Sequence, residues 1–186
     1  NSFETTGLAN PINVSNDSTE SLSAKSSVSG SNVYVVWQDD SSGEKEIFFK
    51  QSSDNGASFG TSINLSNTVG VDSTNPQITT SGSNIFVVWQ EANPSDIFFT
   101  SSSDGVIFTL PVSLSSNAGN SALPQITTSG NNVYVVWEDN TSGDYDILFS
   151  KSINLGVVFG AAINLSTAQA FTSENPQIST VGSNIY

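Results

Sequence analysis

The sequence predicts an all-β β-propeller of four-stranded antiparallel blades, three complete and one partial, with the partial blade split between the two ends of the chain. Three observations carry this. A unit of about fifty residues recurs: the run from Ser29 to Trp37 (SGSNVYVVW) returns at Ser81 to Trp89 (SGSNIFVVW) and at Ser129 to Trp137 (SGNNVYVVW), and begins again at Val181 (VGSNIY). Its glycines, Gly30, Gly82, Gly130 and Gly182, are spaced 52, 48 and 52 residues apart, a period that belongs to propellers. Each unit also breaks into four short apolar runs separated by turn residues, and no segment shows 3.6-residue periodicity.

In the second repeat the four strands read Pro76–Thr80, Ile85–Trp89, Asp96–Thr100 and Leu110–Leu114, with turns at Ser81–Asn84, Glu91–Ser95 and near Asp104-Gly105. The second strands do not alternate cleanly. Val33, Val35 and Trp37 lie on one face and Tyr34 and Val36 on the other, so both faces are apolar and both must be covered. Ile47-Phe48-Phe49, Ile97-Phe98-Phe99 and Ile147-Leu148-Phe149 share this character, as face-to-face blade packing requires. We therefore read residues 1–186 as one propeller or propeller segment. Its blades are 21–68, 73–116 and 121–167, and its partial blade comes from 1–20 and 173–186.

Strand arithmetic does not close at the ends. A fourth-type strand around Ile12-Asn13-Val14 opens the chain, and a first strand at Pro176-Gln177-Ile178 and half a second strand end it, leaving one strand short. The expectation is that the parent protein continues past Tyr186. No initiating Met or signal peptide is present, which reads as a mature or excised segment. The first strand of the first repeat also departs from pattern, with Ala24-Lys25-Ser26 where later repeats have Pro-Gln-Ile.

Composition excludes several classes of chemistry. The formal charge is −13, from 17 acids against Lys25, Lys45, Lys50 and Lys151, with no Arg, His, Cys or Met. Nucleic-acid binding needs a cationic footprint, and an anionic bilayer would repel this chain, so neither is an expected partner. No apolar run approaches the ~18 residues of a membrane span. Missing His and Cys remove Ser-His and Cys-His catalysis and metal sites built on imidazole or thiolate. The Ser/Thr/Asn-rich, acidic, lysine-poor composition suits an extracellular or cell-surface location.

Five N-x-S/T sequons, at Asn13, Asn16, Asn64, Asn140 and Asn164, are glycosylation candidates, although Asn and Ser are abundant enough for chance matches. Asn13, Asn64 and Asn164 occupy equivalent places in Ile-Asn-(Val/Leu)-Ser strands, where period-two geometry sends Ile and Leu inward and Asn and Ser outward. Trp37, Trp89 and Trp137 invite sugar stacking, but their register, one per blade at the end of a buried strand, favours filling the space between blades. The turns between second and third strands carry Asp39, Asp40, Glu44 and Glu46 in the first repeat and Asp139, Asp144 and Asp146 in the third. Hard oxygen ligands gathered in a loop suit Ca²⁺. The same acids also serve simply to bond turn amides and keep the rim soluble, and the spacing is not that of an EF-hand.

After the third strand the first repeat reads Ser52-Ser53-Asp54-Asn55-Gly56-Ala57-Ser58-Phe59, an S-x-D-x-G-x-x-F pattern that resembles the Asp box of sialidase-like propeller blades. The second box, Ser102 to Phe108, is one residue short, and the third, Ser152 to Phe159, has Asn154 for Asp. The chain as a whole resembles BNR/Asp-box repeat proteins, many of them secreted or surface-attached in archaea and bacteria. In such a box Ser52, Asp54, Gly56 and Phe59 are structural: Asp accepts turn amides, Gly takes φ > 0 and the aromatic pins the hairpin.

The resemblance does not bring sialidase activity with it. Those enzymes hold the substrate carboxylate with an arginine triad, and this chain has no guanidinium fork. A Tyr nucleophile from Tyr34, Tyr134, Tyr145 or Tyr186 is conceivable, though Tyr34 and Tyr134 fall in buried register; a carboxylate-pair glycosidase survives formally. The expectation is a non-catalytic extracellular scaffold or surface-assembly module, paired with other copies, other surface proteins or glycans. The alternative is a propeller module that binds carbohydrate or another ligand. Calcium is the one cofactor candidate, and the sequence makes none certain.

Overall fold

The computed structural model describes residues 10–93, 95–167 and 171–186. Among them there is no helix, and three four-stranded antiparallel sheets follow one another in simple up-and-down order. Blade 1 holds β1 (Ser21–Ser29), β2 (Asn32–Asp39), β3 (Glu46–Ser52) and β4 (Ile63–Asn64). Blade 2 holds β5 (Ser73–Ser81), β6 (Asn84–Glu91), β7 (Asp96–Ser102) and β8 (Val112–Ser113). Blade 3 holds β9 (Ser121–Ser129), β10 (Asn132–Asp139), β11 (Asp146–Ser152) and β12 (Ile163–Asn164). A fourth sheet has two short strands, β13 (Thr180–Val181) and β14 (Asn184–Ile185).

The two-sided apolar strands pack as blade faces. Tyr34, Val36, Ile47, Phe49 and Leu65 of blade 1 close on Ile85, Val87 and Trp89 of blade 2. Phe86, Val88, Ile97 and Phe99 of blade 2 close on Val133, Val135 and Trp137 of blade 3. Trp89 and Trp137 are fully buried in these seams, so they fill space between blades and are closed to a stacking sugar. Removing an indole of 150–250 Å² from water at about 25 cal/mol per Å² is worth ~4–6 kcal/mol before entropy.

Each long hairpin between third and fourth strands is locked by a Ser-x-Asp turn or, in blade 3, a Ser-x-Asn turn. Ser52 Oγ donates to Asp54 Oδ1 at 2.6 Å and accepts from Gly56 N at 2.9 Å, while Asp54 also accepts from Ser58 N at 2.9 Å and Ser58 Oγ at 2.6 Å. Gly56 turns the chain at φ 83°. In blade 3 Asn154 Oδ1 accepts from Ser152 Oγ and Val158 N at 2.7 and 3.0 Å, because an amide oxygen serves the same acceptor role. Gly156 there has a second reason to be glycine: a Cβ would run into the Phe99 ring of blade 2.

Two expectations are corrected here. The segment around Ile12-Asn13-Val14 forms no strand: a fourth-type strand needs a third strand beside it, and among the described residues none stands there. It lies against the open face of blade 1 and is tied by Lys50 Nζ, which donates to Val14 O. The fourth strands are also only two residues long, and their Ser does not face outward. Ser66 is buried, accepting from Ile47 N at 2.9 Å and donating to Glu46; it lies past the end of β4, where strand alternation no longer sets its direction.

Candidate functional site

Sequence candidates at the turn end of the blades are spread apart by the structure. Asp39 and Asp139 are buried and saturated by donors. Asp39 accepts from Ser21 Oγ, Thr19 Oγ1, Ser41 N and Trp37 Nε1 at 2.8–3.2 Å, and Asp139 from Ser121 Oγ, Asn117 Nδ2 and Thr141 N at 2.6–3.0 Å. Burial alone would raise both carboxyls, but these bonds outweigh it and hold them below the ordinary carboxylate range.

Asp40 accepts from Glu20 N at 3.0 Å. Glu46 accepts from Ser66 Oγ and Thr68 N. Asp146 accepts from Ser142 Oγ, Ser166 Oγ and Asn164 Nδ2 at 2.6–2.9 Å. Glu44 is half-buried and Asp144 exposed. Among the described residues no three acidic side chains converge on a point that could hold a metal ion. Each of these bonded carboxylates fastens a turn.

One position breaks this pattern. Where blades 1 and 3 have Asp39 and Asp139 clamped by Ser21 and Ser121, blade 2 has Glu91, paired in register with Ser73. Ser73 Oγ instead meets Thr68 Oγ1, and among the described residues Glu91 Oε2 receives only Trp89 Nε1, at 3.3 Å. Glu91 is half-buried, and its carboxyl titrates above the usual range, first because burial penalises the charge and further because Glu46 and Asp96 are negative neighbours.

At the same end, the innermost strands converge. β1, β5 and β9 each carry a bulge, with positive φ at Ser23 (54°), Asn75 (53°) and Leu123 (49°). Pro76 and Pro124 follow two of these residues, as a proline inside a strand tolerates only an edge or a bulge. The bulges gather Ser23 and Lys25, Asn75 and Gln77, and Leu123, Pro124 and Gln125 around a cavity of about 240 Å³. Lys25, Gln77 and Gln125 are equivalent in register, opposite Val36, Val88 and Val136. One bond from the neighbouring blade and one within the blade hold the bulge of blade 2 in place: Asn75 N donates to Gln38 Oε1 of blade 1 at 3.2 Å, and Asn75 Nδ2 to Gln90 Oε1 of the adjacent strand β6 at 3.0 Å. Sequence reasoning missed this cavity, although the signal was there in the repeated Pro-Gln-Ile within a strand.

The tyrosine candidates fare differently. Tyr34 and Tyr134 are buried between blades, while Tyr145 is half-buried and Tyr186 exposed. Of the sequons, Asn13 and Asn16 are exposed, and Asn64, Asn140 and Asn164 are half-buried.

No protein-family model matches the chain, and no curated protein matches it either. Solved structures do. A family 117 glycoside hydrolase from the marine bacterium Zobellia galactanivorans aligns with TM-score 0.54 at 9% identity, over 83% of this chain and 57% of its own. The GH62 α-L-arabinofuranosidase of Coprinopsis cinerea aligns with TM-score 0.52 at 12% identity, over 78% and 50%. A structure from the GH130 family of mannoside phosphorylases, which includes hydrolases of β-1,2-mannosidic linkages, aligns with TM-score 0.51 at 12% identity, over 80% and 50%. The chain spans about half the length of each. At these identities the likeness shows the propeller fold.

These likenesses correct the expectation of a chain without catalysis. That expectation rested on the missing arginine fork, and glycoside hydrolases and phosphorylases recur on this same architecture. Lack of arginine is therefore no argument against an enzyme here.

Proposed function

We propose that the chain forms part of a carbohydrate-active propeller acting on glycosides, with saccharide held at the axial cavity. The observation that carries this is the convergence of three bulged inner strands, which brings amides, a hydroxyl and an ammonium to one small cavity. That inventory of donors and acceptors is suited to sugar hydroxyls. Support comes also from the glycoside hydrolases and phosphorylases with which the chain shares its architecture. Glu91 lies outside the residues that line this cavity, toward the same end of blade 2, and its carboxyl, raised by burial and by neighbouring charge, makes it our candidate proton donor for a saccharide that extends beyond the cavity. Glu46 and Asp96 are the carboxylates whose charge raises it.

The hairpin bonding of Ser52, Asp54 and Gly56 supports a BNR/Asp-box repeat type, and exposed Asn13 and Asn16 support an extracellular glycoprotein that meets other surface proteins or glycans. The test is a panel of aryl glycosides, including α-L-arabinofuranosides and β-mannosides, with oligosaccharide binding followed by calorimetry. We expect turnover of at least one substrate, falling about 10²–10⁴-fold in Glu91→Gln, and weakened binding in Gln77→Ala. A folded protein that neither binds nor turns over any of them would overturn the reading.

A further inference from the structure

Blade 2 departs from its neighbours at one cross-strand pair. In blade 1 Tyr34 stands opposite Gln51, and in blade 3 Tyr134 stands opposite Lys151. Blade 2 has Phe86 opposite Ser101 at the same place, so a phenol hydroxyl and a long polar stem are both absent. Between blades 1 and 2 that stem fills the seam: Gln51 lies so near Gly105 that a Cβ there would meet its amide. Between blades 2 and 3, Ser101 leaves the matching space open as a groove of about 360 Å³.

The hairpins are altered around the same groove. Blade 3 lines it with Leu155 and Val157 where blade 1 has Asn55 and Ala57, and blade 2 lines it with Ile107 where blade 1 has Ser58. Leu155 holds φ 59°, a left-handed backbone that Asn55 adopts at the same angle with far less strain. A leucine kept in that conformation and half-buried beside the groove is strain placed at an apolar wall. Phe86 forms the buried floor, while Ile107 and Val157 stand 75% and 78% exposed at the mouth. The polar groups among the described lining residues are hydroxyls and the Asn84 amide, and none is charged.

We propose that this groove binds a small uncharged molecule with an apolar body and a single amide or hydroxyl group. The seam between blades 1 and 2 defines that chemistry, because the chain's own carboxamide stem and phenol stand at the matching place there. Charge is excluded by the lining. The chain has 17 acids and four lysines, yet none borders the groove, so an ion seated on Phe86 would be unpaired. An apolar cavity of about 150 Å³ holds one benzene, so there is room here for roughly a dozen heavy atoms. Both walls belong to complete blades, at the end of β6 away from Glu91, and the inference stands apart from the carbohydrate reading.

Titration of the isotope-labelled protein with hexanamide, followed by backbone amide chemical shifts, tests this. We expect saturable shifts at Ser103, Ile107 and Val157 with a dissociation constant of about 1 mM. Hexanoate and hexylammonium, of the same length but charged, should bind about ten-fold more weakly or worse. Ser101→Gln restores the side chain of blade 1. It should weaken hexanamide about ten-fold or more while leaving the melting temperature within about 2 °C of the parent, or above it. Val157→Ser, at the exposed mouth, should weaken hexanamide about three-fold or more. No saturable shift at these positions, equal binding of the charged analogues, or full affinity in a folded Ser101→Gln would each overturn the proposal. Should Ser101→Gln fail to fold, full affinity in Val157→Ser would overturn it instead.

Discussion

The ring of Phe108, in the hairpin of blade 2, stands edge-on to Phe49 of blade 1, with centroids 4.9 Å apart and planes at 68°. An edge-to-face pair of this kind adds about 0.5–1.5 kcal/mol to the apolar area it buries. It also joins two levels of structure, because the residue that closes a hairpin within one blade is the residue that seals the seam to the previous one.

Phe108→Ala should therefore destabilise the protein by about 3 kcal/mol, near the low end for a truncated Phe since the ring is only partly buried. Phe59, at the same place in blade 1, makes no such edge-on pair among the described residues and borders a cavity with Asn10, Ile12 and Val14. Its truncation should cost less than about 1 kcal/mol. Urea denaturation of both variants measures the difference, and equal losses would refute the assignment of the aromatic to the seam.

Two indoles in the same register differ in their polar handle. Trp37 Nε1 donates to Asp39 Oδ2 at 3.0 Å, whereas Trp137 Nε1 is buried and finds no partner among the described residues, Asp139 being occupied by Ser121 and Asn117. Trp37→Phe should thus cost about 1 kcal/mol more than Trp137→Phe through the lost hydrogen bond. Chemical denaturation decides it; an equal or reversed order contradicts the bonding described.

Stability should vary with pH in two directions. Asp39, Asp54, Asp104, Asp139 and Asp146 are all lowered by hydrogen bonds in the folded state. A depressed carboxyl contributes stability that is present above its unfolded value, about 3.9, and is lost as pH falls below it toward the folded value. Glu91 works the other way. Its raised folded value costs stability above its unfolded value of about 4.3, and the cost is relieved as pH falls through the folded value. Melting temperature should rise slightly on mild acidification, then drop steeply below about pH 4. Asp139→Asn should flatten the acid limb and Glu91→Gln should remove the rise. A profile that Glu91→Gln leaves unaltered would count against its raised carboxyl.

Expressed in a secretory host that attaches N-linked glycans, the chain should carry sugar first at the exposed Asn13 and Asn16. Asn164 should be the least modified, because its Nδ2 is committed to Asp146 Oδ2 at 2.8 Å. Glycopeptide mass spectrometry gives the occupancies, and full occupancy at Asn164 with none at Asn13 would reverse this ranking.

Local chemistry was legible in the residues themselves. The repeat of Gly30, Gly82, Gly130 and Gly182, with apolar residues on both faces of Val33–Trp37 and its copies, determined a stack of two-sided sheets. A strand apolar on both faces has no stable alternative to being covered on both. The hairpin bonding of Ser52, Asp54 and Gly56 could likewise be read from spacing, since its partners lie within four residues of one another.

Tertiary structure alone decided what happens between blades. The acids of the turns looked like one kind of residue, yet Asp39 and Asp139 are saturated by Ser21, Ser121 and their neighbours while Glu91 is left with one long bond. That difference comes from partners about twenty residues away, and from the charge of Glu46 on another blade. The axial cavity arises in the same way, because Lys25, Gln77 and Gln125 lie about fifty residues apart in sequence and meet only where three bulged strands approach the axis. Period and alternation report which way a side chain leaves its own strand. What it meets there depends on the packing of a strand one whole repeat away.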